Sequence, residues 1–161
     1  MESQIIEKKI CLESKFLDKN IMKNLFLKLS ELTNDNCSKE YGFIIKINKL
    51  IEIVDHKIGR ANIDNIFHVK FEASVLKPRK DVIVQGKVVM IYEDGIFISI
   101  LNRQNMLIPR SKLNNYNFQK DKTSYIHNNT GNTITINSII KAKIITAIYN
   151  NNSYSCFGYI V

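Results

Sequence analysis

The chain has 161 residues, a formal net charge of +8 and 45% hydrophobic residues, with a pI of about 9.4. That size allows one ordinary domain or two very small ones, and the basic balance suits a polyanionic partner. No apolar run is long enough to span a membrane, so a membrane partner is not expected.

Glu2 and Glu7 stand where a signal peptide needs basic residues, and no uninterrupted apolar stretch follows them. Cys11, Cys37 and Cys156 are odd in number, far apart and without a C-x-x-C pair. They are expected as buried or half-buried side chains in an intracellular protein, not as zinc or redox groups. Acids are scarce after Lys80, where Asp81, Glu93, Asp94 and Asp121 are the only ones, so the second half should carry the more uniformly positive surface. The abundance of Ile, Asn and Lys over Arg fits A+T-rich coding, as in a parasite or a large DNA virus.

In chain order, residues 5–12 alternate, with Ile6, Ile10 and Leu12 on one face of a strand. Asp18 is a candidate N-cap for a helix whose apolar stripe is Ile21, Met22, Leu25, Phe26, Leu29 and Leu32. After the turn cluster at 33–36, Tyr41-Gly42 introduces a long strand with Phe43, Ile45, Ile47, Ile51 and Ile53 on one side. Residues 55–65 form a polar connection containing Gly59-Arg60. Phe67, Val69, Phe71, Ala73 and Val75 then alternate with His68, Lys70, Glu72 and Ser74, as expected for a sheet packed on one face. The first half is an α+β unit with one helix on a small antiparallel sheet.

Pro78 in the cluster Lys77-Pro78-Arg79-Lys80 marks a boundary, dividing the chain into 1–78 and 79–161. An all-β pattern follows. Residues 82–92, 96–101 and 105–108 form a meander turning at Gly95, residues 109–113 a turn element, and residues 114–133 a long polar loop. Residues 133–149 and 154–161 supply the last strands, completing the pattern of an OB-fold barrel.

No catalytic constellation is present. His56, His68 and His127 fall in different elements, nucleotide-binding and hydrolase motifs are absent, and Glu93-Asp94 beside Gly95 is first a turn signal. Neither an enzyme, a cofactor nor a metal is expected. An OB face that binds single strands needs stacking aromatics and cations. The candidates are Phe97, Arg103, Arg110, Lys112, Lys141 and Lys143. Periodicity alone leaves open whether Phe97 points outward or Ile96, Ile98 and Ile100 do.

Several pieces together carry a family resemblance: the opening strand with Ile10, the helix from Asp18, Tyr41-Gly42-Phe43, Gly59, the Phe67 to Val75 alternation, Pro78, Val84-x-Gly86-x-Val88 and Ser124-Tyr125. In this order and spacing the chain resembles the stalk subunit of multisubunit DNA-directed RNA polymerases, the family of the seventh subunit of eukaryotic polymerase II and of its archaeal counterpart. The resemblance implies a noncatalytic subunit whose first half is a tip domain docking to the large polymerase core subunits. The docking positions it indicates are Ser38, Tyr41, Gly42, Phe43, Gly59 and Arg60. It implies an S1-type OB domain near the RNA exit, contacting nascent single-stranded RNA, and leaves a small helical stalk partner open. The location would be the nucleus if the chain is cellular, and the virion or host cytoplasm if it is viral. Asp94 and Pro109 stand where S1-type domains place an aromatic and a histidine. The alternative is a free-standing RNA-binding OB protein of translation or RNA decay.

Overall fold

The alternating strand at 65–76 is the hub of the first half. The computed structural model describes residues 2–33, 36–58 and 65–161, which form two units, Met1–Lys77 and Pro78–Val161. In the first unit, β1 (Glu2–Leu12), β3 (Gly42–Ile58) and β4 (Asn65–Leu76) join a two-residue β2 (Cys37–Ser38) in one antiparallel sheet of order β1-β4-β3-β2. On β4, Phe67, Val69, Phe71, Ala73 and Val75 are buried, as the alternation predicts. They pack with Ile6 and Ile10 of β1 and with Leu25 and Leu29 of the helix α1 (Ile21–Thr33).

The helix buries a narrower stripe than its sequence suggests. Leu25, Leu29 and Thr33 are buried, whereas Met22 and Leu32 remain exposed. Thr33 is tolerated inside because its hydroxyl donates to the Leu29 carbonyl, at 2.8 Å. Asp18 lies one turn before the helix, where its Oδ1 accepts from the Asn20 N–H at 2.8 Å. Asn20, whose carbonyl accepts the Asn24 N–H, occupies the capping position instead.

The long strand β3 departs from simple alternation. Its pairing with β4 shifts register between Ile44 and Lys46, Ile47 and Lys49, Leu50 and Glu52, and Ile53 and Asp55. Each shift is a β-bulge that leaves one residue (Ile45, Asn48, Ile51, Val54) without a cross-strand partner. The face turned to the core is therefore Ile44 and Ile47, with Leu50 and Ile53 packed against it, at a spacing of three. The expected core face of Phe43, Ile45, Ile47, Ile51 and Ile53 is corrected accordingly, and Ile51 is exposed.

In the second unit, β5 (Ile83–Tyr92), β6 (Gly95–Ile100), β7 (Gln104–Pro109), β11 (Ile139–Asn150) and β12 (Ser153–Ile160) close a barrel of order β11-β12-β7-β6-β5. Val88, Ile96, Ile98, Ile100, Met106, Ile108, Ala142 and Ile144 fill it. Closure is tight at Gly86, where a Cβ would lie 2.8 Å from Ile98 Cδ1. A larger residue at this family-like position would force Ile98 to shift.

Residues expected as a long loop between the third and fourth barrel strands instead form a small sheet of β8 (Tyr116–Gln119), β9 (Ser124–His127) and β10 (Thr133–Ile134). Its face carries registered ring pairs, Tyr116 with His127 and Phe118 with Tyr125. Aromatic cross-strand pairs stabilise such short strands despite the polar composition around them. Of the cysteines, Cys156 is buried and Cys37 half-buried, but Cys11 is exposed, contrary to expectation.

Candidate nucleic-acid interface

The orientation of β6 is settled by burial: Ile96, Ile98 and Ile100 point into the barrel, and Phe97 faces outward, half-buried. The Glu93-Asp94 turn pairs Tyr92 with Gly95 and so sets Met90 opposite Phe97. Phe97 in turn pairs with Leu107 of β7, and Leu107 with Phe157 of β12 across a parallel step. An outward apolar row, Met90, Phe97, Leu107 and Phe157, therefore crosses four strands, with Met90, Tyr92 and Phe157 markedly exposed. The Tyr92 and Phe97 rings meet edge to face with centroids 6.3 Å apart. The Tyr92 hydroxyl donates to Met90 Sδ at 3.2 Å. Faces of this kind offer π-surface to unstacked bases without reading their edges.

The turn that presents Tyr92 is held from below. Tyr125, 1% exposed on β9, donates its hydroxyl to the carbonyls of Tyr92 and Glu93, at 2.5 and 2.9 Å. Burial pushes its phenol above the ordinary value of 10.0, with Asp94 and Glu93 raising it further and Arg110 opposing them. Sequence reasoning marked Ser124-Tyr125 only as a family trait. The physical signal for its role was a tyrosine in an otherwise polar stretch, since a buried Tyr needs an acceptor for its hydroxyl.

The six candidate residues do not form one cluster. Arg110 and Lys112 follow β7 at the Gly95 end of β6, and Arg110 donates to Glu93 Oε1 at 3.4 Å and, through its backbone, to the Asp94 carbonyl at 2.8 Å. Arg103 lies in the turn at the other end of β6, about 17 Å away along the strand. Phe97 sits between these ends. Lys141 and Lys143 project from β11 opposite Gln85 and Ile83 of β5, away from Phe97 itself; on the β12 side Lys143 lies beside Tyr159, two residues from Phe157 at the end of the row. Lys87, opposite Ser99, is the outward lysine nearest that row on β5 and was not among the candidates.

In the first unit, Ser38, Tyr41, Gly42 and Phe43 do come together at the β2–β3 turn. Ser38 Oγ accepts the Tyr41 N–H at 3.0 Å. Burial, then the neighbouring Glu40, pushes the Tyr41 phenol above its ordinary value. Gly42 has φ +72° and is buried, and a Cβ there would collide with the Leu76 carbonyl oxygen. It is required by the fold, so a Gly42→Val variant would disturb packing as well as any contact surface. Gly59 and Arg60 lie outside the described residues. Among the described residues, no group of three His, Cys, Asp or Glu could hold a metal, and no helix is long and apolar enough to cross a membrane.

An α+β unit followed by a closed five-stranded barrel, with outward rings Tyr92, Phe97 and Phe157 on its first, second and last strands, defines an OB-fold protein of the S1 type. The family described as S1 RNA binding domain matches residues 77–156. A curated soybean (Glycine max) protein, DNA-directed RNA polymerase II subunit RPB7, is 26% identical over 161 residues, covering 97% of this chain and 89% of its own. DNA-directed RNA polymerase II subunit 7 of Arabidopsis thaliana is 27% identical over 93 residues, 58% of this chain and 53% of its own. Over nearly its whole length the chain is thus similar to the stalk subunits of multisubunit RNA polymerases.

Proposed function

We propose that this chain is a noncatalytic stalk subunit of a DNA-dependent RNA polymerase, docked through its first unit and offering its barrel to nascent RNA. One observation carries the reading: similarity to a polymerase subunit runs through both units, over 97% of the chain, and not through the S1-type domain alone. In the first unit, the β2–β3 turn with Ser38, Tyr41 and Phe43 is the proposed contact with the large core subunits. In the second, a single strand crosses β6 and β7 over Tyr92, Phe97 and Leu107. Arg110 and Lys112 at one end and Arg103 at the other meet its phosphates. Contact with RNA near its exit would help initiation, and the subunit acts wherever its polymerase does. A small helical stalk partner fits this reading as a further component.

Tagged protein purified from its native source tests the assignment. Stoichiometric recovery with the large catalytic polymerase chains is expected. Recovery with ribosomes or RNA in their place would make it a free-standing RNA-binding protein.

A further inference from the structure

We propose that the outer face formed by residues 83–87 of β5 and 139–143 of β11 is a docking surface for an extended, acidic protein segment bearing apolar side chains, adjoining the Phe97 row at Lys87 but distinct from it. On β11, Ile139, Lys141 and Lys143 point outward while Ala142 and Ile144 point into the core; on β5, Ile83, Gln85 and Lys87 point outward while Gly86 and Val88 are buried. The antiparallel register sets Ile139 beside Lys87, Lys141 beside Gln85 and Lys143 beside Ile83. The face is thus a chequer of lysines and exposed isoleucines, with Ile83 56% and Ile139 58% exposed.

Among the described residues, none of the three lysines has an acidic partner on this face. The nearest acid by connection is Asp81, whose N–H donates to the Ile144 carbonyl, and no ion pair joins it to Lys143. Uncompensated charge of one sign favours a partner of the other. Alternate residues of a strand lie about 7 Å apart on one face. Lys141 and Lys143 therefore match carboxylates two residues apart in an extended segment, and the flanking Ile139 and the cross-strand Ile83 offer apolar contact. The pattern favours a peptide over a nucleic acid. Single-strand sites stack bases on aromatic rings, and the outward side chains at 83–87 and 139–143 are aliphatic, Lys or Gln, with the ring of Tyr159 on β12 only at the margin, beside Lys143. The closed barrel leaves no free edge here for strand addition, so the contact is through side chains.

The test uses the full chain and a fluorescein-labelled peptide of alternating Glu and Leu, with a labelled oligouridine as second probe. The proposal expects the peptide to bind, to weaken as salt rises, and to lose roughly tenfold or more in affinity with Lys141→Glu/Lys143→Glu. Ile139→Ser should also weaken it while leaving every charge in place. Phe97→Ala should leave peptide binding unchanged, so failure of the RNA reading and failure of this one are told apart. Circular dichroism confirms that these surface variants remain folded. Absence of peptide binding at low salt overturns the proposal. So does indifference to Ile139→Ser, or a charge-reversal variant that loses oligouridine but keeps the peptide; the last outcome would make this face part of an RNA path.

Discussion

Replacing Phe71 by alanine probes the packing of the first unit at its centre. Phe71 is 0% exposed, and its backbone neighbours across the sheet are Ile6 on β1 and Leu50 on β3. The ring thus lies under elements from both sides of β4, and none of them can close inward without breaking its own pairing. Burial of a phenylalanine contributes about 1.5–3 kcal/mol, and a cavity that cannot collapse raises the cost of Phe→Ala to about 3–5 kcal/mol. A unit of this size has a total stability of about 5–15 kcal/mol, so the variant should lose a large fraction of it and unfold at a much lower urea concentration. Phe71→Leu, which keeps most of the volume, should cost less than about 1.5 kcal/mol and remain measurable. Urea titration reads both, with a midpoint shift of about 1 M for each kcal/mol lost at the low end of typical slopes. Helical circular dichroism reports the first unit through α1, while all tyrosines but Tyr41 lie in the second. An unchanged helical midpoint in Phe71→Ala would refute the packing argument. A loss confined to the tyrosine signal would refute the assignment of Phe71 to the first core.

Gly42→Ala should destabilise the first unit by more than the roughly 1–2 kcal/mol of a left-handed backbone alone, since the methyl group also meets the Leu76 carbonyl; urea titration checks it, and a neutral result would mean the turn opens freely. Tyr125→Phe should cost about 0.5–1.5 kcal/mol for the lost hydroxyl donor, read as a lower thermal midpoint of the barrel. Because the folded phenol is raised above 10.0, its contribution is complete below that pH and disappears as pH rises through the raised value. The difference between wild type and Tyr125→Phe should therefore shrink on the alkaline side, and a difference that grows there would contradict the assignment. Phe97→Ala should weaken oligouridine binding by about 1–3 kcal/mol if a base stacks on that ring. Lys112→Ala should instead flatten the salt dependence by about 0.7 in log-log slope; fluorescence titration at several salt concentrations separates the two.

Elements specified by local pattern were legible in the sequence: the Phe67 to Val75 alternation, the hairpin at Gly95 and the order of the barrel strands. A two-residue turn after Tyr92 fixes Met90 opposite Phe97, so that pairing could be read as well. Phe157 could not, because its place beside Leu107 comes from the parallel step that closes the barrel, between residues 50 apart. The lysines of β11 were assigned to the Phe97 face for the same reason: charge type is visible in a sequence, but which side of a barrel a strand occupies is a non-local fact. The strands within 114–133 were hidden because their stability comes from ring pairs across strands and from the Tyr125 hydroxyl, not from an apolar run.

The stepped pairing of β3 has a consequence for association. A regular strand keeps its side chains and its hydrogen-bonding groups in phase every two residues, whereas β3 advances three residues for every two on β4. Set against a straight strand it behaves like a vernier, in step at one position and out of step at the next. Apart from the short stretch at Gly42 and Phe43 covered by β2, the far edge of β3 cannot template a long ladder with another copy of the chain. Seventeen residues of isoleucine-rich strand can therefore stand at the margin of a sheet without becoming a seed for fibrils. An in-frame deletion of one or two residues here should forfeit that protection even where the core face survives.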